Sequence, residues 1–142
     1  YLNRSNTEFD VVIIDAFNSD NSIPFHLATR EAVSRVAENL SEDGVVLVNI
    51  ISALTGNDSG FFAAEYATYR EVFPYVRVYK VYQMDDTQVQ NIILIASHAP
   101  LIHSADSPYQ DELAQKEWHG EAHVLPALTD DFAPVERYTS AF

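Results

Sequence analysis

Two carboxylates stand close together near the start of the chain, in the run Asp15-Ala-Phe-Asn-Ser-Asp20. The apolar residues Val11 to Ile14 lead straight into the first. Short polar residues, Asn18, Ser19, Asn21 and Ser22, surround the second. An apolar run of that length reads as a strand covered on both faces. Open α/β sheets bind ligands at the carboxyl ends of such strands. Asp15 occupies that place, and the turn-forming loop can fold Asp20 back towards it. Two anions there would attract a cationic ligand or bind a divalent metal. Helix capping and turn formation use the same residue types, so the pair alone does not select a chemistry. Asn49, late in a second apolar run, is the counterpart of Asp15 on the next strand.

Other side chains could do chemistry in principle. His119-Gly-Glu-Ala-His123 spaces two histidines as one helix face would, but Gly120 weakens that helix and the order is not His-Glu-x-x-His. Two surface histidines are the plainer reading. His26 follows Pro24-Phe25 at a helix entrance, where capping or packing is the ordinary role. Asp130-Asp131 lies in the tail and is suited either to reaching the site at Asp15 or to a turn. Neither Gly-x-Ser-x-Gly nor a phosphate-cradling Walker loop occurs.

The elements that must position these groups follow from periodicity. Phe9 to Ile14 is the first strand. Thr29 caps a helix carrying Val33, Val36, Ala37 and Leu40, and Ser41-Glu-Asp-Gly44 is a turn into a strand from Val45 to Ile50. Asn57, Asp58 and Ser59 offer caps for a second helix, whose apolar stripe of Phe62, Tyr66, Tyr69 and Phe73 reads as core and which Pro74 ends. Val76 to Tyr82 and Asn91 to Ser97 form an antiparallel hairpin around a polar stretch containing Asp85-Asp86. A short helix around Pro108 to Trp118 precedes a loop-rich tail over 119–142. This order predicts one partial α/β domain over 1–142, its sheet mostly parallel with an antiparallel edge hairpin. The first strand is apolar on both faces, so further sheet upstream, or another copy, is expected beside it.

Composition narrows the partners. Lys and Arg number 8 against 21 Asp and Glu, a net charge of −13, which opposes broad contact with a nucleic-acid backbone and is compatible with a cationic ligand. An acidic surface also serves solubility. Apolar runs such as VVII and IILIA are strand-sized, too short to span a bilayer, and the opening residues carry no basic leader, so no secretory signal is expected. Zero cysteines excludes disulfides and a thiolate nucleophile.

The motif FDVVIIDAFNSD, followed by IPFHLATREAV and LSEDGVVLVNIIS, resembles the spermidine synthase (polyamine aminopropyltransferase) family. The late TDDFAPVE stretch, Thr129 to Glu136, is similar to a feature of bacterial spermidine synthase-like proteins in which this domain is often attached to a membrane region. The resemblance implies the carboxyl-terminal portion of a Rossmann-like, methyltransferase-type catalytic domain, located in the cytoplasm. It implies aminopropyl transfer from decarboxylated S-adenosylmethionine, as co-substrate, to a diamine such as putrescine, with no permanently bound cofactor and no metal. By position Asp15 matches the family's proton-accepting aspartate, and Asp20 the aspartate that holds the polyamine. The better-known pattern is Asp-x-x-Asp-Pro, whereas here Asn18 stands third after Asp15 and Asp20 lies two residues further on. The family's glycine-rich loop, acidic ribose contact and adenine motif would precede Tyr1, so no residue here is assigned to the nucleoside. A methyltransferase using S-adenosylmethionine itself, and a non-catalytic polyamine-binding or assembly domain, are the alternatives. The loop from Asp15 to Pro24 holds two Asp and no Lys or Arg, which suits a donor ending in an ammonium rather than an amino acid carboxylate.

Overall fold

The computed structural model describes residues 8–15, 27–102 and 106–139. Strand β1 (Phe9–Ile14) leads to helix α1 (Arg30–Glu38), β2 (Leu40–Ser52), α2 (Gly60–Val72) and the hairpin β3 (Tyr75–Lys80) and β4 (Gln90–Ser97). Helices α3 (Gln110–Lys116) and α4 (Val135–Thr139) complete the order. The sheet runs β1-β2-β4-β3, with β1 parallel to β2 and β4 antiparallel to both its neighbours. Strands β1, β2 and β3 thus point one way and β4 opposes them. The expected edge hairpin is present, but the opposed strand is its inner member and β3 forms the edge.

Strand β2 begins earlier than its apolar run, because Ser41-Glu-Asp-Gly44 is absorbed into it as an irregularity. Phe9 pairs with Leu40 and Val11 with Val45, so this excursion lies opposite Asp10 alone. Gly44 permits it: a Cβ there would lie 2.8 Å from the Phe9 carbonyl oxygen. The Ser41 hydroxyl donates to Asp10 Oδ1 at 2.8 Å, and the Ser97 hydroxyl donates to the Gly44 carbonyl at 2.9 Å.

Alternation along the strands divides the sheet into unlike faces. Val46, Val48, Ile50, Val78, Ile92, Leu94 and Ala96 are buried in one cluster with Val33 and Val36 of α1 and Phe61, Phe62 and Tyr69 of α2. The opposite face holds Val45, Leu47, Ile51, Ile93 and Ile95 only half buried, and on β1 Val11 and Ile13 are 53% and 68% exposed. The two edges differ as well. Residues 117–118 run beside β3, with a bridge between Tyr79 and Glu117 and the Trp118 N–H donating to the Val78 carbonyl at 2.8 Å. The outer edge of β1 has no strand partner among the described residues.

Thr29 caps α1 as its type predicts, its Oγ1 accepting from the Ala32 N–H at 3.3 Å. The entrance to α2 is built differently from the caps expected there. Gly56 takes φ 82°, Asn57–Ser59 form a 3-10 turn, and no side chain of that turn caps the helix. Instead the buried Ser52 hydroxyl, at the end of β2, donates to the Asp58 carbonyl at 3.0 Å and accepts from the Phe62 N–H at 3.3 Å. A strand end thereby supplies the acceptor that the helix start lacks. Phe62, Tyr69 and Phe73 are core as expected, Tyr66 packs at the margin, and α2 stops before Pro74. In the tail Leu128 is fully buried and α4 adds a short helix where only loop was expected. No helix among the described residues is long and apolar enough to cross a membrane.

Candidate functional site

Because β1, β2 and β3 share a direction, their carboxyl ends meet along one rim of the sheet. Asp15 follows β1 there, exposed to solvent. Ile14 pairs with Val48, so Asp15 faces Asn49, and the Asn49 Nδ2 donates to Asp15 Oδ1 at 3.1 Å. That contact engages one carboxylate oxygen and orients the group. The Asn49 Oδ1 is buried and has no hydrogen-bond partner among the described residues. A shielded carbonyl oxygen beside a carboxylate is an acceptor for an N–H group, and leaving it unpaired costs about 1–3 kcal/mol. Asp20, Asn18 and His26 lie outside the described residues.

More carboxylates gather along the same rim, and hydrogen bonds assign most of them to structure. Asp86 Oδ1 takes Lys80 Nζ at 2.6 Å, its Oδ2 takes the Trp118 indole N–H at 2.9 Å, and its carbonyl accepts from the Leu54 and Thr55 N–H groups. This ties the β3–β4 turn to the entrance of α2. The Asp85 carboxyl is held below its usual range by the Thr87 hydroxyl and N–H. Glu31 is likewise lowered, chiefly by backbone N–H groups, its own first and then that of Asp130, at the start of α1. Asp130 is bound to Thr29, whose hydroxyl donates to its Oδ1 at 2.7 Å. Asp131 is exposed.

His119 and His123 are exposed in a segment with no helix, so they do not share a helix face. Among the described residues no group of three or more His, Asp or Glu is arranged to hold a metal ion.

One titratable residue was not anticipated. Glu65 lies within α2, 3% exposed, with Oε1 unpartnered among the described residues, and burial pushes its carboxyl from 4.5 up to about 8. The same burial, with Glu65 one turn away, drives the Tyr69 phenol well above its ordinary range. The stripe marked by Phe62, Tyr66, Tyr69 and Phe73 is too narrow to include Glu65, yet α2 is buried almost all round, Phe61 to Glu65 without a break. Phe61 and the small pair Ala63-Ala64 are the sequence signal for that wider contact.

No family model matches the chain. It is 29% identical over 153 aligned residues to the polyamine aminopropyltransferase of Vibrio vulnificus, covering 94% of this chain and 48% of that protein. To the polyamine aminopropyltransferase of Thermotoga maritima it is 37% identical over 82 residues, 56% of this chain and 26% of that one. Among solved structures, a probable spermidine synthase from Corynebacterium glutamicum superposes with a TM-score of 0.60 at 24% identity, covering 94% of this chain and 46% of that one. Human methyltransferase-like protein 13, in complex with SAH, superposes with a TM-score of 0.56 at 22% identity, covering 79% and 48%. The chain therefore spans about half the length of the Vibrio protein and of these two structures, whose likeness is one of Rossmann-like fold. Along most of its length this chain is similar in sequence to a polyamine aminopropyltransferase.

Proposed function

We propose that the polypeptide carrying this chain transfers an aminopropyl group from decarboxylated S-adenosylmethionine to a diamine such as putrescine. Asp15 takes the proton from the attacking nitrogen, and Asp20 holds the amine. The observation that carries this reading is the match to polyamine aminopropyltransferases, 29% identical across 94% of the chain, together with a carboxylate oriented at a strand's carboxyl end.

The amine nitrogen forms a bond to the methylene carbon beside the sulfonium, the carbon–sulfur bond breaks, and its electrons neutralise the sulfur of departing methylthioadenosine. One proton leaves the nitrogen for Asp15. A lysine-like ammonium titrates about 6.5 units above a free Asp, so direct transfer is uphill by about 9 kcal/mol. Two effects close that gap. Desolvation raises a carboxyl that substrate covers, and a neighbouring sulfonium lowers an amine. The Asn49 amide fixes the carboxylate. In-line alignment of nitrogen, carbon and sulfur contributes at least as much again.

The outer edge of β1, without a strand partner among the described residues, and the half-covered apolar face beside it fit a working sheet extended by further strands. In this reading those strands come from a longer polypeptide or a second copy, which also supplies the residues that hold the donor's nucleoside.

The test is to incubate the intact polypeptide with putrescine and either donor and identify the nucleoside released. Methylthioadenosine is the expected product. Release of S-adenosylhomocysteine would assign methyl transfer instead, and spermidine binding without either product would assign a non-catalytic role.

A further inference from the structure

Asp15 and Asn49 stand on the half-covered face of the sheet, in line with Ile13 and Leu47, not on the face under α1 and α2. The ladder carries that face on to β4, where Asn49 pairs with Ile93 and Ile51 with Asn91. On β2 from Val45 onwards and along β4, the polar residues of this face are Asn49, Ser97 and Asn91. Ser97, at the end away from the rim, spends its hydroxyl on the Gly44 carbonyl, and Asn49 donates to Asp15. Asn91 is half buried, and its side chain enters no hydrogen bond among the described residues. Its neighbour Gln90, on the covered face, differs: that amide donates to the carbonyls of Asp85 and Gln88 and so holds the β3–β4 turn. Asn is also a poor strand former, so neither the ladder nor the turn accounts for its use at position 91.

Register also sets a length. Asn91 is two strands along from Asp15 and one side-chain step nearer the rim. Strands about 4.8 Å apart, rising about 3.3 Å per residue, put the two Cβ atoms about 12 Å from one another. With each head group standing off the sheet and taking a nitrogen at about 2.9 Å, the two nitrogens are held about four or five methylenes apart. Ile51 and Ile93 lie between and offer those methylenes an aliphatic surface. Carboxylate, aliphatic surface and amide oxygen thus follow in the order that suits the two nitrogens and the hydrocarbon of a short diamine.

We infer that Asn91 is a specificity-determining residue: its amide oxygen accepts an N–H of the far ammonium while Asp15 faces the attacking nitrogen, so that the sheet selects a diamine over a monoamine. This rests on the amine transfer proposed above. A hydrogen bond to an ammonium is roughly twice as strong as one between neutral groups. A site built to bond an N–H also discriminates against an analogue that lacks it. A merely structural Asn91 would change stability, or the rates with all amines alike, and leave the choice between them in place.

The experiment compares kcat/KM for putrescine and for butylamine, which lacks the far nitrogen, by methylthioadenosine release from the intact polypeptide. Wild type, Asn91→Leu and Asn91→Asp are measured, each verified as folded by circular dichroism. Asn91→Leu is expected to lower kcat/KM for putrescine about ten-fold and to leave butylamine within about two-fold of wild type. Asn91→Asp keeps an oxygen acceptor and should keep the preference for putrescine. An unchanged preference in Asn91→Leu, a butylamine rate falling as far as the putrescine rate, or loss of the preference in Asn91→Asp overturns the inference. Should wild type release no methylthioadenosine, the aminopropyl reading fails on its own, and putrescine affinity by calorimetry then decides the role of Asn91. About ten-fold weaker binding in Asn91→Leu upholds it; equal affinity, or no binding by wild type, overturns it.

Discussion

In the proposed reaction one amide hydrogen bond, from Asn49 to Asp15, orients the carboxylate that is to act as base. Asn49→Leu removes both that donor and the unpaired Oδ1. Turnover should fall about ten-fold, and stability should not fall by more than about 1 kcal/mol, because the lost bond is exposed and the lost oxygen has no partner among the described residues. Steady-state rates and a denaturant midpoint check both halves of that statement. Glu65 makes a different kind of prediction. Its folded carboxyl titrates near 8 against an ordinary 4.5, so the folded chain holds the proton more tightly than the unfolded one. The stability this gives is whole below about pH 4.5 and is lost as pH climbs towards 8, a change on the order of 5 kcal/mol at most. Glu65→Gln should flatten that dependence between pH 5 and pH 8 in urea denaturation, and an unchanged slope would place the titration elsewhere. The pairing of Asp15 with Asn49 was legible because Asp15 ends one strand-sized apolar run and Asn49 interrupts the next. Glu65 could not, since its burial comes from the packing of α2 on more than one side.

Among the elements, β2 and α2 carry the most consequence. The joint between them is a buried serine and a left-handed glycine in place of a local cap. Phe62 packs edge-on to Trp118 with ring centroids 5.4 Å apart and is fully buried, so Phe62→Ala should cost about 3–5 kcal/mol by thermal or denaturant unfolding. Gly44→Ala places a methyl against two backbone carbonyls that cannot both give way, and should cost about 2 kcal/mol or more. The strand and helix order was legible because apolar runs and 3.6-residue spacing report local burial. The excursion of Ser41 to Gly44 into β2 was not, because a turn signal does not reveal that the neighbouring strand will pair on both sides of it. For the same reason the Asp86 links to Lys80 and Trp118, and the Asp130 link to Thr29, had no sequence signature. Each joins residues brought together only by the finished fold.

At the scale of the whole molecule, charge and burial are both unevenly placed. The chain carries −13 overall, and the carboxyl rim of the sheet gathers Asp15, Glu31, Asp85, Asp86 and Asp130. Polyamine affinity should therefore weaken as salt rises, since exposed charges are screened over about 10 Å at 0.1 M. The covered face is packed like an ordinary core, while the face bearing Val11 and Ile13 is exposed beside an edge with no strand partner among the described residues. An exposed apolar edge strand associates with whatever strand is offered. Ile13→Lys should accordingly reduce self-association of the 142-residue chain in sedimentation experiments, and equal association in both forms would place the sticky surface elsewhere. These features converge on Asp15, where the rim, the open edge and the Asn49 amide meet. The most direct test is the rate of methylthioadenosine release by Asp15→Asn in the intact polypeptide, with its fold verified by circular dichroism. Proton transfer to Asp15 predicts a fall of at least about a hundred-fold. A folded variant working within two-fold of wild type would contradict it.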